Sequence, residues 1–210
     1  MLGELEHGSE DDLPDEQPAG SYYYDDAHGY EVYQPDGPLT IWTIGHSTRD
    51  LTEFVALLAE NDLEVLVDVR SFPGSGKFPH FNKESLEISL PEQGIEYIHL
   101  RQLGGRRKAK PDSKNTVWRN EAFRGYADYM ETDEFREGIA ELVRLAKESR
   151  TAIMCSEAVW WRCHRSMISD YLKAAGMTVL HILGPDKVVE HPYTSAASIV
   201  NGNLSYEERT

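Results

Sequence analysis

The stretch LTIWTIGHSTRDLTEFVALLAENDLEVLVDVR, residues 39–70, decides the fold. Residues 39–45 are β-branched and aromatic and predict a strand that ends at a glycine. Residues 47–61 open with polar capping residues and then place apolar side chains at helical spacing. Residues 64–70 are mostly apolar, which is typical of a short strand buried on both faces. The stretch is therefore a strand–helix–strand unit.

The same alternation continues through the next hundred residues. The patterns predict further strands at 95–100, 151–155 and 178–183, and helices at 83–92, 121–131, 133–148 and 163–175. Strands that alternate with helices indicate an α/β fold. We expect a single-domain layered fold over residues 39–184, with a mainly parallel five-stranded sheet flanked by helices. Residues 185–210 are expected to form a short irregular C-terminal tail.

The amino-terminal segment differs from this domain in charge. Residues 1–48 contain 11 of the 36 acidic residues and neither Lys nor Arg, so they carry most of the net charge of −15. Low apolar content, high charge and several prolines predict a disordered acidic arm over residues 1–38.

Cysteine content and hydropathy indicate the expected cellular location of the protein. Two cysteines are too few for a disulfide framework. Residues 1–10 lack the basic start and apolar core of a secretory signal. No apolar run approaches the ~18 residues that suggest a membrane span. We therefore expect a soluble cytoplasmic protein without a membrane partner.

Polar and reactive side chains follow every predicted strand of the domain. In open parallel sheets, ligands bind outside the carboxyl ends of the strands. We therefore expect a site at that edge, built from the residues at the five strand ends: His46 and Ser47; Asp68 and Arg70; His99 and Arg101; Cys155, Ser156 and Glu157; and His181.

The candidate catalytic residues are His46, Asp68, Cys155, Glu157, Cys163 and His164. His46 and Glu157 are candidates for general acid and base. Cys155 or Cys163 would contribute a thiol, although a free cysteine near a strand is also a common core residue. Asp68 either orients His46 or a substrate hydroxyl, or forms a structural pair with Arg70.

Three further residues are candidates for binding the anionic groups of a substrate. Ser47 and Arg165 lie near the starts of two predicted helices, where free backbone N–H groups favour anions. Arg70 would hold a further anionic group. The alternative is that Ser47 only caps its helix and Arg165 only forms a surface ion pair.

A basic segment interrupts this acidic protein. Residues 101–119 contain seven basic residues and one acidic residue. Arg106 and Arg107 in this segment are candidate substrate-binding residues, because basic patches attract polyanions. Trp160 and Trp161 could stack on bases. A nucleotide or nucleic acid is therefore the expected partner, and the alternative is a solvated loop with tryptophans at a hydrophobic rim.

Metal binding has four candidate ligands, namely Cys155, Cys163, His164 and His181. Their spacing matches no common zinc pattern, and no Cys-x-x-Cys is present. The sequence alone therefore predicts no metal and identifies no cofactor, with a metal-dependent enzyme or sensor as an alternative.

Five motifs carry a resemblance to a known family: TIGHST (43–48), VDVRSFPGS (67–75), LGGRR (103–107), FRGYADYM (123–130) and CSEAVWWRCHR (155–165). Over residues 40–184 the chain resembles the domain of unknown function 488 family. Ser156 replaces the usual alanine after the first cysteine. The resemblance implies an α/β fold, no particular reaction, and a shared residue set: His46, Asp68, Arg70, Cys155, Glu157, Cys163, His164 and Arg165.

These observations favour an α/β enzyme, of hydrolase or transferase class, that acts on a phosphate-bearing ligand such as a nucleotide or nucleic acid. A non-catalytic nucleic-acid or protein binding module is the alternative from another class.

Overall fold

A computed structural model of the chain describes residues 20–25, 30–35 and 37–208. The described residues contain ten strands: β1 (Gly20–Asp25), β2 (Tyr30–Pro35), β3 (Thr40–Gly45), β4 (Val65–Asp68), β5 (Glu96–His99), β6 (Thr151–Cys155), β7 (Thr178–Gly184), β8 (Lys187–Glu190), β9 (Ser198–Val200) and β10 (Asn203–Ser205). They also contain five α-helices: α1 (Leu51–Glu60), α2 (Lys83–Ser89), α3 (Glu121–Met130), α4 (Asp133–Glu148) and α5 (Arg165–Ala174).

The main sheet has six strands in the order β5-β4-β6-β3-β7-β8. The first five run parallel, and β8 pairs antiparallel with β7. The predicted α/β class and mainly parallel sheet are confirmed, and one edge strand is added to the expected five. Gly45 lies opposite Cys155 in this sheet, and Asp68 lies opposite Met154. The carboxyl ends of β3, β4 and β6 therefore meet at one edge.

Two apolar layers cover the two faces of the sheet. Alternate residues of β3 point to opposite faces, so Ile41 packs in one cluster and Trp42 in the other. The Trp42 layer is closed by α1 and α2, through buried residues such as Phe54 and Leu86. The Ile41 layer is closed by α3, α4 and α5, with Phe135 among its fully buried residues. The domain is thus three layers thick.

Helix α1 begins four residues later than the sequence pattern suggested. Asp50 is its N-cap and accepts a hydrogen bond from the backbone N–H of Glu53 at 2.7 Å. Ser47 instead lies in the preceding turn, with φ 51°. The expectation that Ser47 stands at the helix start is therefore corrected, because the helix begins at Leu51 and the Asp50 carboxylate caps its first turn.

The segment after residue 184 is more regular than expected. It contains β8 and the β9–β10 hairpin instead of an irregular tail. Asp170 holds it, because the Asp170 carboxylate accepts hydrogen bonds from Thr194 Oγ1 at 2.6 Å and Tyr206 Oη at 2.9 Å, and His191 Nε2 lies 3.0 Å away. Hydrogen bonds between polar side chains produce no periodic pattern of apolar residues, so the sequence pattern did not predict this segment.

Strands β1 and β2 pair antiparallel, with Gly20 opposite Pro35 and Asp25 opposite Tyr30. This ribbon lies within the arm for which disorder was predicted. The low mean hydropathy favoured that prediction, whereas the tyrosines and valine of the two strands favour extended backbone. Residues 1–19, 26–29, 36 and 209–210 lie outside the described part, and so does the stretch judged to lack a secretory signal.

Within the described residues, no helix combines the length and apolar character that crossing a membrane requires.

Candidate functional site

A cavity of about 730 Å³ opens at the carboxyl ends of β3, β4 and β6. Its wall comes from the loops after these strands, from the loop before α3, from α3 itself and from the turn before α5. The polar and reactive residues of its lining include His46, Ser47, Arg70, Lys77, Arg106, Tyr126, Cys155, Glu157, Arg162, Cys163 and His164. The cavity therefore lies where the strand ends predicted a ligand site.

Cys155, Cys163 and His164 converge on one wall of this cavity. The Nδ1 atom of His164 lies 3.6 Å from Cys163 Sγ and 3.9 Å from Cys155 Sγ. One ligand-type atom from each residue lies within 4.8 Å of the other two. Cys155 ends β6, and Cys163 follows the 3-10 turn Trp160–Arg162. That turn reverses the chain and brings the two sulfur atoms together.

His164 is held in one orientation by its neighbours. Its Nε2 lies 3.0 Å from the carbonyl oxygen of Val69. Because a carbonyl only accepts, Nε2 carries the proton and donates. In the neutral ring Nδ1 therefore presents a lone pair to the two sulfur atoms. Tyr126 packs against the same ring edge-on, with the centroids 5.1 Å apart.

The two buried thiols differ in acidity. Burial disfavours a Cys163 thiolate, but a hydrogen bond from Cys155 and the charge and backbone N–H of Arg165 outweigh it and lower the Cys163 pKa to about 6. The hydrogen bond to Cys163 and burial raise the pKa of Cys155 to about 12. Both are free thiols. In the pair, Cys155 keeps its proton and donates to the Cys163 thiolate.

His46 lies in the cavity wall beside Cys155, whose carbonyl accepts a hydrogen bond from the His46 backbone N–H at 3.0 Å, and it is almost fully buried. Its Nδ1 lies 3.0 Å from the carbonyl of Ser47, so Nδ1 donates and Nε2 is left as an acceptor, 3.4 Å from the Arg70 guanidinium. The ring stacks on Phe81 at 4.3 Å. Burial and the Arg70 charge lower the His46 pKa to about 4. His46 is therefore a neutral base near neutral pH.

Asp68 lies behind the cavity wall, not on it. The carboxylate is fully buried and accepts hydrogen bonds from Arg70 Nε at 2.9 Å and from Tyr97 Oη at 2.6 Å. Arg70 also donates to the carbonyl of Phe81 at 2.8 Å and reaches the cavity beside His46. Asp68 accordingly fixes Arg70, which in turn lies against His46, and it has no direct access to a ligand in the cavity.

Arg165 does not reach the cavity either, which corrects its assignment as a direct anion ligand. Its side chain is 1% exposed and donates to Thr43 Oγ1 at 3.1 Å and to the carbonyl of Glu157 at 2.6 Å. The guanidinium crosses from α5 under Gly45 to the loop after β6. Its role in this structure is to hold that loop, and its backbone N–H lies 3.5 Å from Cys163 Sγ.

Three other predicted binding residues also lie away from the cavity wall. Trp160 stacks on the buried ring of His181 in β7, with the ring centroids 4.6 Å apart. Trp161 is 54% exposed but does not line the cavity. The Arg107 guanidinium covers the ring of Tyr129 at 3.5 Å. Of the two adjacent arginines, Arg106 alone faces the cavity, over the exposed ring of Phe72.

The charges on the cavity wall are mostly positive. The side chains of Arg70, Lys77, Arg106 and Arg162 line it, against one carboxylate, that of Glu157. All except Arg70 are exposed to solvent. A low-dielectric cleft with one sign of charge concentrates ligands of the opposite sign. The cavity is therefore suited to an anion.

Sequence analysis missed two of these cations. Lys77 lies in the glycine-rich loop after β4, where a single lysine gives no pattern. Arg162 lies inside the CSEAVWWRCHR motif, one residue before Cys163, and was not among the candidate binding residues. Both residues follow the end of a predicted strand. Only the first few residues after each strand were taken as candidates, so these two were left out.

Comparison with protein families gives one match. The model of the family described as "Domain of unknown function DUF488" matches residues 50–172, which include α1 to α4, β6 and the Cys155–His164 cluster. No curated protein and no solved structure matches the chain.

Proposed function

Because the chain belongs to the DUF488 family, whose description names no reaction, we propose a function from the site itself: an enzyme that binds a phosphate-bearing ligand in the cavity and catalyses its hydrolysis or group transfer. The observation that carries this proposal is the combination in one cavity of four cationic side chains with a thiol–imidazole cluster. Cations without reactive groups would support binding alone.

Three exposed cationic side chains are the proposed direct contacts of the anion. Lys77, Arg106 and Arg162 approach from three different loops, so an anion between them would neutralise charges that repel one another. Arginine forks suit phosphate oxygens in particular. Arg70 is already engaged with Asp68 and contributes a fixed positive charge next to His46.

The candidate reacting groups come from the neighbouring loops after β3 and β6. His46 presents an unprotonated Nε2, and Glu157 presents an exposed carboxylate from the loop after β6. His46 is the candidate general base and Glu157 the candidate general acid for a bound phosphoryl group. In the metal-free chain, the Cys163 thiolate is the candidate nucleophile.

The experiment is a binding and turnover panel of inorganic phosphate, nucleoside mono-, di- and triphosphates, and short DNA and RNA oligonucleotides. We expect at least one phosphate-bearing compound to bind, with affinity reduced about tenfold in Arg106→Ala and in Arg162→Ala. Lys147→Ala is the matched control, since Lys147 is exposed on α4 outside the cavity. Absence of binding across the panel, or equal affinity in all three variants, would remove the proposal.

The panel also separates catalysis from binding alone. Release of phosphate or of a shortened product should fall at least about a hundredfold in His46→Ala, because a positioned acid or base contributes that much or more. Salt-dependent binding of oligonucleotides without any turnover, unchanged in Glu157→Ala and Cys155→Ala, would instead support a non-catalytic nucleic-acid module.

A further inference from the structure

We infer that Cys155, Cys163 and His164 form a zinc site of the Cys₂His type, with its fourth coordination position facing the cavity. This goes beyond the proposed function, because zinc binding is a property of the chain that needs no substrate. It also revises the expectation, drawn from residue spacing alone, that no metal is bound.

The two distances from sulfur to nitrogen fit a tetrahedral ion. With Zn–S bonds of ~2.3 Å and Zn–N bonds of ~2.1 Å, a tetrahedral angle separates sulfur from nitrogen by about 3.6 Å. The observed separations from His164 Nδ1 are 3.6 Å to Cys163 Sγ and 3.9 Å to Cys155 Sγ. Both separations thus lie within about 0.3 Å of the tetrahedral value, and the two sulfur atoms lie within 4.8 Å of each other.

The histidine is already oriented as a ligand. Metal-binding histidines almost always donate their second ring N–H to a carbonyl or carboxylate, which fixes the free nitrogen toward the ion. His164 does this through Nε2 and the Val69 carbonyl at 3.0 Å. The backbone N–H of Arg165 points at Cys163 Sγ in the manner of a donor to a metal thiolate.

The space next to His164 Nδ1 is kept open by a glycine. A Cβ atom at Gly105 would lie 2.8 Å from Nδ1, closer than any unstrained contact. Any other residue at position 105 would push the imidazole from the sulfur atoms. The absence of a side chain there therefore preserves the ligand geometry as well as access from the cavity.

The chemistry of the set selects zinc among the common ions. Two thiolates and an imidazole are soft and borderline ligands, which suit zinc and disfavour magnesium or calcium. Three protein ligands with a fourth position open to a cavity are the arrangement of catalytic zinc, in contrast to closed four-ligand structural sites. All three ligand residues line the cavity, so a substrate oxygen could reach that position.

The sequence pattern hid this set because the usual zinc motifs place two cysteines two to four residues apart. Here seven residues separate Cys155 from Cys163. The end of β6 and the 3-10 turn before α5 close this loop, and Arg165 fixes it by donating to the carbonyl of Glu157. The ligands become neighbours through the fold.

The test measures metal directly. Protein purified under reducing, anaerobic conditions is analysed by elemental mass spectrometry, stripped with a chelator and titrated with Co²⁺. We expect about one zinc per chain, and a thiolate-to-cobalt charge-transfer band whose intensity corresponds to two Co–S bonds. The band should fall by about half in Cys155→Ser and in Cys163→Ser, and zinc affinity should fall at least tenfold in His164→Asn.

Two further variants make the result specific. Ser156→Ala removes only a weak contact of the Ser156 hydroxyl with Cys155 Sγ at 4.0 Å and leaves all three ligand atoms in place, so it should retain both the zinc and the cobalt band. If wild-type protein takes up Co²⁺ without a thiolate band, or if the double variant Cys155→Ser with Cys163→Ser keeps wild-type zinc content, the inference is overturned. The first of these outcomes needs no variant, so a variant that fails to fold does not obscure it.

The test is independent of the proposed reaction. A chain that binds zinc but hydrolyses none of the phosphate compounds would retain this inference and lose the proposed function. A chain that turns over substrate without zinc would do the reverse.

Discussion

Nε2 of His181 lies 2.8 Å from Nδ1 of His191, in a contact that is almost entirely shielded from solvent. The two imidazoles are the centre of a buried chain of hydrogen bonds. It runs from Arg165 to Thr43, then to His181 Nδ1 at 2.7 Å, through His191, and ends on the Asp170 carboxylate at 3.0 Å. With both rings neutral, every donor in the chain points toward Asp170. This chain joins α5, the central strand β3 and the segment after β7.

Acid should destabilise the protein through this chain. Burial, followed by the charges of His191 and Arg165, lowers the His181 pKa from 6.5 to about 2. Between these values the unfolded chain binds a proton that the folded chain does not, so stability is lost as the pH falls below 6.5. The slope for one such group is about 1.4 kcal/mol per pH unit. His46, with its pKa near 4, adds a second proton over a shorter range.

Urea unfolding between pH 7.5 and pH 4.5 measures this slope. In His181→Gln we expect lower stability at pH 7.5 but a shallower fall toward pH 4.5, because one titrating group is removed. An unchanged slope in that variant would show that His181 is not the group responsible.

Breaking the buried ion pair of Asp68 and Arg70 should lower the free energy of unfolding far more than breaking an exposed ion pair. In Asp68→Asn the Arg70 guanidinium would stay buried without its counter-ion, at a cost of about 3–5 kcal/mol in the free energy of unfolding. Glu141→Gln is the control, since Glu141 pairs with Arg144 on the exposed face of α4 and its loss should cost less than about 1 kcal/mol. Urea unfolding at pH 7 compares the two, and a loss below about 1 kcal/mol in Asp68→Asn would contradict the structural role.

Gly45 should tolerate no side chain. A Cβ atom there would lie 1.8 Å from the carbonyl oxygen of Glu157 and 2.9 Å from the Arg165 guanidinium. The clash involves backbone, so we expect Gly45→Ala to lower the free energy of unfolding by about 3 kcal/mol. Gly184→Ala meets no atom within 4 Å and is the control. Similar unfolding midpoints for the two variants would show that the loop after β6 yields easily.

The parts of this structure that could be predicted are those encoded by residues close together in the chain. The alternation of Ile41 with Trp42 and the spacing of Phe54, Leu57 and Leu58 are local patterns, so the sheet and its helices could be predicted. Strand ends also placed His46, Arg70 and Cys155 at the correct edge. The α/β class is set by such short-range periodicities.

The direction of long side chains could not be predicted in this way. Arg165 was expected to hold an anion, whereas for Asp68 a structural pair with Arg70 was left open as an alternative. Both side chains point inward, because each finds buried partners on other elements. The approach of Cys155 to His164 depends on the turn at Trp160–Arg162, which has no periodic signature. Non-local contacts of this kind become visible only when the chain is folded.

The single carboxylate of the cavity should oppose anion binding. Glu157 lies among three exposed cations, and its negative charge repels a phosphate ligand. We expect Glu157→Gln to raise the affinity for a phosphate compound by about threefold at low salt, with the gain shrinking as ionic strength rises. Turnover should fall in the same variant if Glu157 transfers a proton. Isothermal titration at two salt concentrations measures the first effect, and a lower affinity would contradict it.

Gly105 connects the basic segment to the proposed zinc ligands. In Gly105→Ala the new methyl group would meet the His164 ring 2.8 Å from Nδ1, so the ring must rotate and give up its hydrogen bond to Val69. Loss of an orienting contact of this kind weakens metal binding about 10–100-fold. Gly76→Ala, with no atom within 4 Å of its Cβ, should bind cobalt like the wild type. If Gly105→Ala keeps the wild-type cobalt spectrum and affinity, then His164 is not held as a ligand by the contacts described, and the zinc site would rest on the two sulfur atoms alone.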